Sequence, residues 1–261
     1  MKLYLNYIKV SMQSIIMYPV NLWSKSIGRI LYVYLQVCLW ISLYTSTDNS
    51  SADIRTKALT SIIISNIIFS IMECNIVNQI NDKIRSGEIA MDLLKPMNYM
   101  AYLFSTYVGE NIINLIFRTV PLVIVSSIFW KQHIASLHYY CFFLISILFS
   151  FFINFLYSYI IGLIAFWLLV TWPLNMMLNS IYKFFSGIWI PVFLMPKTLN
   201  SISNILPFKY IYSAPISILL AEKQVDVMTQ LLLQLTWCIG LSIFSVCIWN
   251  YAKRKLVIQG G

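Results

Sequence analysis

Charge is scarce in this sequence. Only 10% of its 261 residues are Asp, Glu, Lys or Arg, against about 25% in an ordinary soluble domain. A soluble globule of this length would lack the polar material to cover itself, whereas lipid can cover an apolar exterior. Glycine is also sparse: the eight glycines cannot be arranged into a GxxxxGK[ST] loop, so the chain has no P-loop of its own. The five cysteines, Cys38, Cys74, Cys141, Cys238 and Cys247, form no CxxC pair and lie in or beside apolar segments. They read as small buried hydrophobes, with no redox or zinc motif. His133 and His138 are the two histidines, and no carboxylate is near them. HExxH, GxSxG and potassium-filter patterns are missing too. No catalytic, cofactor-binding or metal-ligating set can be read from the chain. Its first 22 residues mix Lys, Asn and Ser with apolar residues and so do not resemble a cleavable signal peptide.

What is abundant is apolar: 59% of the residues are hydrophobic and the mean hydropathy is +0.76. The fold class expected is an all-α membrane protein, one domain over residues 1–261, with about six spans of roughly 20 residues each. Residues 2–18 place Lys2, Asn6, Lys9 and Gln13 on one helical face, the pattern of an interfacial helix. Spans are expected at about Trp23–Tyr44, Ala58–Val77, Ala101–Phe129, 139–169, 175–194 and Met228–Trp249. The stretch Tyr139–Tyr182 carries no charge at all. As one helix it would be about 65 Å long, twice the hydrocarbon thickness. A turn is expected around Thr171–Asn175, where Trp172 and Pro173 stand together. The loop Trp130–His138 joins spans three and four. Residues 195–220, punctuated by Pro196, Pro207 and Pro215, read as short re-entrant helices on the outer side, between spans five and six.

The formal net charge is +9. Because the cations flank apolar segments, they read as topology signals and contacts to anionic lipid headgroups, not to nucleic acid. With both termini in the cytoplasm, the inner side gains the larger share of Lys and Arg, concentrated at Lys2, Lys9 and Lys253–Lys255. Four charged residues fall inside or at the edges of spans: Glu73, Glu110, Arg118 and Lys183. Charge in hydrocarbon is expensive, so each needs another helix, a partner or an aqueous cavity. Substrate pathway and interhelix tie are both open readings for them. Glu110 and Arg118 share a face of span three about 12 Å apart, too far to pair directly.

The longest polar connection is Asn78–Asn98, NQINDKIRSGEIAMDLLKPMN. Within it Glu88–Lys95 can form two helical turns with Ile89, Leu93 and Leu94 on an apolar side. This loop, the N-terminal amphipathic helix, and the stretches SGIWIPVFLMP (Ser186–Pro196) and LPFKYIYSAPISILL (Leu206–Leu220) together resemble the permease subunits of ABC-2 type exporters. The likeness is to the six-span branch that includes proposed viologen and peptide exporters. In the loop it rests on Arg85, Gly87, Ile89, Leu93, Leu94, Lys95, Pro96 and Asn98; many relatives carry arginine at the position of Lys95. The resemblance implies a membrane-spanning subunit of an ATP-driven exporter in a bacterial cell membrane, with no chemistry of its own. It implies two ABC ATPase subunits carrying ATP and Mg, and a second permease chain, identical or homologous. It implies a small-molecule or peptide substrate, and spans two and five at the pairing surface, with Ser61, Ser65, Asn66, Ser70, Asn179, Ser180, Ser186 and Gly187 there. It also implies that Arg85, Gly87, Glu88, Ile89, Asp92, Leu93, Leu94 and Lys95 couple to the ATPase. The abundant aromatic rings suit an amphipathic or cationic substrate. The alternatives are an ATP-independent secondary transporter or channel, and a non-transporting membrane or immunity protein.

Overall fold

The computed structural model describes residues 2–45, 52–127, 137–168, 172–220 and 226–255. Residues 130–136 of the expected loop and Thr171 of the expected turn lie outside the described residues, whereas Trp172–Asn175, where the rest of that turn is expected, open a helix. Among the described residues all regular structure is helical. Twelve helices follow one another: α1 (Lys2–Ile16), α2 (Pro19–Thr45), α3 (Ala52–Ile71), α4 (Ile76–Ser86), α5 (Glu88–Leu94), α6 (Tyr99–Asn114), α7 (Val120–Ser126), α8 (Leu137–Leu163), α9 (Trp172–Phe185), α10 (Lys197–Ile205), α11 (Lys209–Leu219) and α12 (Val227–Ala252). Among the described residues five candidate spans are long and apolar enough to cross a membrane: Pro19–Tyr44, Asp53–Ser86, Tyr99–Ser126, His138–Phe166 and Val227–Lys255. The chain is therefore an all-α, multi-pass membrane protein. The expected fifth span is shorter than foreseen. α9 has 14 residues, about 21 Å of helix, and the chain leaves it at Ser186 for a turn with Gly187 at φ +91°.

Two of the spans are interrupted. Span two stops at Ile71 and resumes at Ile76, with Glu73 in the gap. No proline or glycine stands there, so the interruption rests on tertiary partners. The freed Met72 carbonyl accepts from Asn154 Nδ2 at 2.7 Å and Tyr107 Oη at 3.2 Å. Span three contains a π-helical turn, Leu115–Thr119, between α6 and α7. Pro121 supplies the reason, because it has no N–H to offer the Phe117 carbonyl four residues earlier. That carbonyl accepts instead from Ser26 Oγ of α2 at 2.8 Å.

α8 lies at the centre, against α4, α11 and α12. Buried Tyr182 of α9 donates to Asn154 Oδ1 at 2.8 Å, and its oxygen lies 2.7 Å from that of Tyr212 of α11. A second polar knot holds α12: Gln234 Nε2 donates to the Tyr210 carbonyl at 2.8 Å and to Ser150 Oγ at 3.0 Å, while Ser146 donates to Gln234 Oε1 at 2.9 Å. Both knots satisfy buried polar groups where no water is at hand. α1 packs along α6 through Tyr4, Tyr7, Ile8, Ser11, Met12 and Ile15, a helical stripe. The approach is close enough at Gly109 that an added Cβ would stand 2.5 Å from the Ile8 carbonyl oxygen.

The small polar residues of span two are not on a free surface. Ser61, Ser65, Asn66 and Ser70 are buried by the chain's own helices. Their hydroxyl groups donate back to carbonyls three or four residues earlier. Ser186 and Gly187 are buried too, Asn179 is half-buried, and of this set Ser180 alone is exposed. Internal packing, and not a pairing surface, accounts for the span-two residues.

Candidate functional site

The site is built where the interruptions in spans two and three face each other. Glu73, released from helical constraint in the gap, forms an ion pair with Arg118 on the π-turn. The guanidinium is buried, whereas the Glu73 side chain keeps 37% of its exposure. Glu110, two turns before Arg118, accepts from Gln79 Nε2 of α4 at 2.5 Å. The two charged residues of span three thus share a side and take separate partners, as their spacing requires.

Lys25 and Arg29 of α2 and Lys183 of α9 complete the polar seam. The Arg29 guanidinium lies 4.2 Å from the centroid of the Phe69 ring and 5.7 Å from that of Tyr32. Lys183 Nζ lies 5.4 Å from the same Phe69 ring. Such cation–π contacts steady a cation at an apolar wall without neutralising it.

These side chains line two adjoining cavities. One, about 430 Å³, is bounded by Lys25, Arg29, Tyr32, Phe69, Glu73, Lys183, Ile188 and Trp189. The other, about 400 Å³, shares Lys25 and Glu73 and adds Asn21, Asn75, Asn78, Glu110, Asn114 and Arg118. All four charged residues singled out within the spans therefore border one continuous polar region. A third cavity of about 320 Å³ lies past the Gly187 turn, bounded by Ser61, Gly187, Pro191, Asn200 and Gln230. Ser61 precedes Phe69 by about 12 Å along α3, so the cavities occupy different levels of the bundle. Between those levels runs a hydrogen-bond chain. Asn66 Nδ2 donates to Gln36 Oε1 at 2.9 Å, and Gln36 Nε2 donates to the Ile188 carbonyl at 2.9 Å.

The polar connection between spans two and three forms a compact tip. Lys83 and Arg85 close the last turn of α4, where cations suit the helix dipole. Gly87, at φ +76°, ends that helix in the left-handed conformation that favours glycine. α5 begins at once with Glu88 and stops before Pro96, whose ring forces Lys95 into extended backbone. Asn98 then caps α6 by accepting from the Ala101 N–H at 3.1 Å. The helix expected at Glu88–Lys95 is present, although its faces are assigned differently. Ile89 is 2% exposed and packs on Ile80, Tyr99 and Leu103, so it anchors the tip inward. Leu93 is half-buried. The exposed apolar residues are Met91 at 67% and Leu94 at 83%. Arg85, Gly87, Glu88 and Lys95 are exposed around them.

Asp92 is turned inward and holds the tip together. It accepts from Lys83 Nζ at 2.5 Å and Lys95 Nζ at 2.6 Å, and Lys83 also donates to Tyr102 Oη at 3.0 Å. Burial opposes ionisation of this carboxyl, but the two ammonium groups outweigh it and hold it below the usual carboxylate range. The same carboxylate pushes the Lys95 ammonium above its ordinary value.

Sequence reasoning missed three contributors to the site. Arg29 and Lys25 read as flanking topology charges, and only the fold turns them toward Glu73. Asn154 lies in a charge-free run, and its role in holding the span-two gap open left no periodic signal.

A family model described as ABC-2 family transporter protein matches residues 30–260. No curated protein matches the chain. The matched region takes in the tip, the third cavity, the parts of the first two cavities that lie beyond Arg29, four of the candidate spans whole and most of the fifth, and on that breadth the chain belongs to the ABC-2 transporter family.

Proposed function

We propose that this chain is the membrane-spanning permease subunit of an ATP-driven ABC exporter, of the six-span branch resembling viologen and peptide exporters. The observation that carries this reading is the tip: a short helix, rigidly braced by Asp92 and Ile89, that presents Met91 and Leu94 outward within a rim of Arg85, Glu88 and Lys95. An apolar knob with a charged rim is what a docking groove on a partner recognises. In this reading residues 78–98 are the coupling loop. Two ABC ATPase subunits carrying ATP and Mg bind the paired permeases, and closure of the ATPases shifts the cavities between inward and outward access. The chain itself supplies the path and no catalysis.

A sixth crossing completes the topology, with both termini in the cytoplasm of a bacterial cell membrane. Support comes from the two ends of the α9 region. Phe166, just before it, meets Trp249 at the tip end of α12. Phe193, just after it, lies 4.5 Å from Lys57 Nζ at the opposite end of span two. The outer re-entrant region of residues 195–220 is supported by Ser203 Oγ, which donates to the Phe185 carbonyl at 2.8 Å and so draws α10 back beside the end of α9. Residues 2–18 serve as an interfacial helix, with Lys2, Asn6, Lys9 and Gln13 all exposed.

The test is co-purification with the ATPase after Met91→Asp and Leu94→Asp are combined. Both side chains are exposed, so the permease is expected to fold normally and lose its partner. A complex that survives the double change would overturn the coupling assignment.

A further inference from the structure

The polar cavity beside Phe69 has more positive charge than its own carboxylates can balance. Glu73 is engaged by Arg118, and Glu110 is held by Gln79. Lys25, Arg29 and Lys183 converge on the same space, and among the described residues none of the three forms an ion pair with a carboxylate. The Phe69 ring is already in use, since Arg29 and Lys183 both lie over it. A cation entering here would meet like charge from Lys25, Arg29 and Lys183.

The cavity also has an apolar side. Phe69, Ile188 and Trp189 line it, and Tyr32 and Trp189 at its rim are 40% and 37% exposed. A molecule that fills the space and places charge against Lys25, Arg29 and Lys183 must therefore carry an apolar part as well. At about 430 Å³, adjoining a second space of about 400 Å³, the volume suits a headgroup and the first part of a chain.

We infer that this cavity binds the anionic headgroup of an amphiphile, a phosphate or carboxylate carried on an apolar chain, with Arg29 and Lys183 as its principal charged contacts. Arg29 supplies a planar fork matched to two oxygens, and Lys183 a point charge from the opposite wall. That the bound molecule is cargo rests on the exporter reading; that it is bound does not.

The experiment measures binding to the purified full-length protein in neutral detergent, using Trp189 at the cavity edge as a fluorescent reporter. Dodecyl phosphate and dodecyltrimethylammonium share a tail and differ in the sign of the head. The first is expected to bind at least about tenfold more tightly, one well-placed charge contact. Phosphatidylglycerol against phosphatidylcholine, followed by native mass spectrometry, forms the lipid arm. Binding of phosphatidylglycerol with displacement by dodecyl phosphate assigns one site to both sources. Binding of phosphatidylglycerol alone makes it a lipid site, and of dodecyl phosphate alone a site for single-chain guests. Arg29→Gln with Lys183→Gln is expected to abolish the preference, and Arg29→Lys with Lys183→Arg to retain it. Equal binding of the two dodecyl compounds, or a preference that persists in the Gln double variant, overturns the inference. Should the Gln variants not fold, the contrast between the two dodecyl compounds on the unaltered protein decides. Absence of this preference in unaltered protein that co-purifies with an ATPase sinks the inference alone; absence of any ATPase complex with the unaltered protein, the preference being intact, sinks the exporter reading alone.

Discussion

Span two and α12 are both apolar enough to cross a bilayer, yet they are built on opposite plans. α12 runs unbroken for 26 residues, with Leu231, Gln234, Cys238, Ser245 and Ala252 buried on one seam. Leu232, Ile239, Ile243 and Phe244 face outward. Span two is enclosed by other helices and interrupted between Ile71 and Ile76. The difference follows from who can satisfy a backbone carbonyl. On a lipid-facing helix only the helix's own N–H groups are available, so it stays regular. In span two, Asn154 and Tyr107 can reach the Met72 carbonyl. An interruption is then tolerated, and its freed side chain can carry charge.

The strongest challenge to this contrast is Glu73→Leu, which leaves the buried Arg118 guanidinium without its partner. A loss of about 3 kcal/mol is expected in detergent unfolding, since breaking a buried pair costs more than removing it. Glu73→Leu combined with Arg118→Leu should recover part of that loss. Asn154→Leu, which removes one of the two partners of the Met72 carbonyl and of the Tyr182 hydroxyl, should cost about 2 kcal/mol. The matched change on the lipid face, Ile243→Leu in α12, should stay within about 0.5 kcal/mol. Equal losses would mean that enclosure does not distinguish the two regions.

Glycines sharpen the comparison. Gly109→Val drives a side chain into the Ile8 carbonyl, and about 1–3 kcal/mol of destabilisation is expected. Gly240 of α12 has open space where a Cβ would stand, so Gly240→Val should cost well under 1 kcal/mol. Thermal unfolding of the two variants side by side checks this.

The smallest effect concerns pH at the tip. Asp92 has a folded pKa below its unfolded value near 3.8. Its contribution is therefore fully present above that value and disappears as pH falls through the lowered one. Protection of the α5 amides against hydrogen exchange, corrected for the intrinsic rate at each pH, should stay flat from neutrality down to about pH 5 and fall only on further acidification. Asp92→Asn should remove that acid-dependent step. Release of the tip near neutral pH would contradict it.

How much of this was legible follows from what leaves a local trace. The apolar runs, the turn at Gly87, the stop at Pro96 and the cap at Asn98 are written in residues that act on their own neighbours. Consequently five long spans and the short helix at Glu88 were readable, as was the separation of Glu110 from Arg118. The gap at Glu73 was not, because nothing near it breaks a helix; its cause sits on α6 and α8. Nor could spacing reveal that Ile89 turns inward while Met91 turns outward, since that depends on where α6 begins. Pro121 was visible, but its effect, a carbonyl offered to Ser26, needed the neighbouring helix. The polar face of α1 could be read, although not that its other side would seat on Gly109.

That seat has a mechanical consequence. α6 starts five residues after α5 ends, and the Tyr4 hydroxyl accepts from the Asn98 N–H at 3.3 Å beside the joint. With no room for a Cβ at Gly109, α1 has little freedom to slide along α6. The two therefore form one packed unit, which joins the tip through Asn98 to Tyr18 and Pro19, about two helical turns from Lys25.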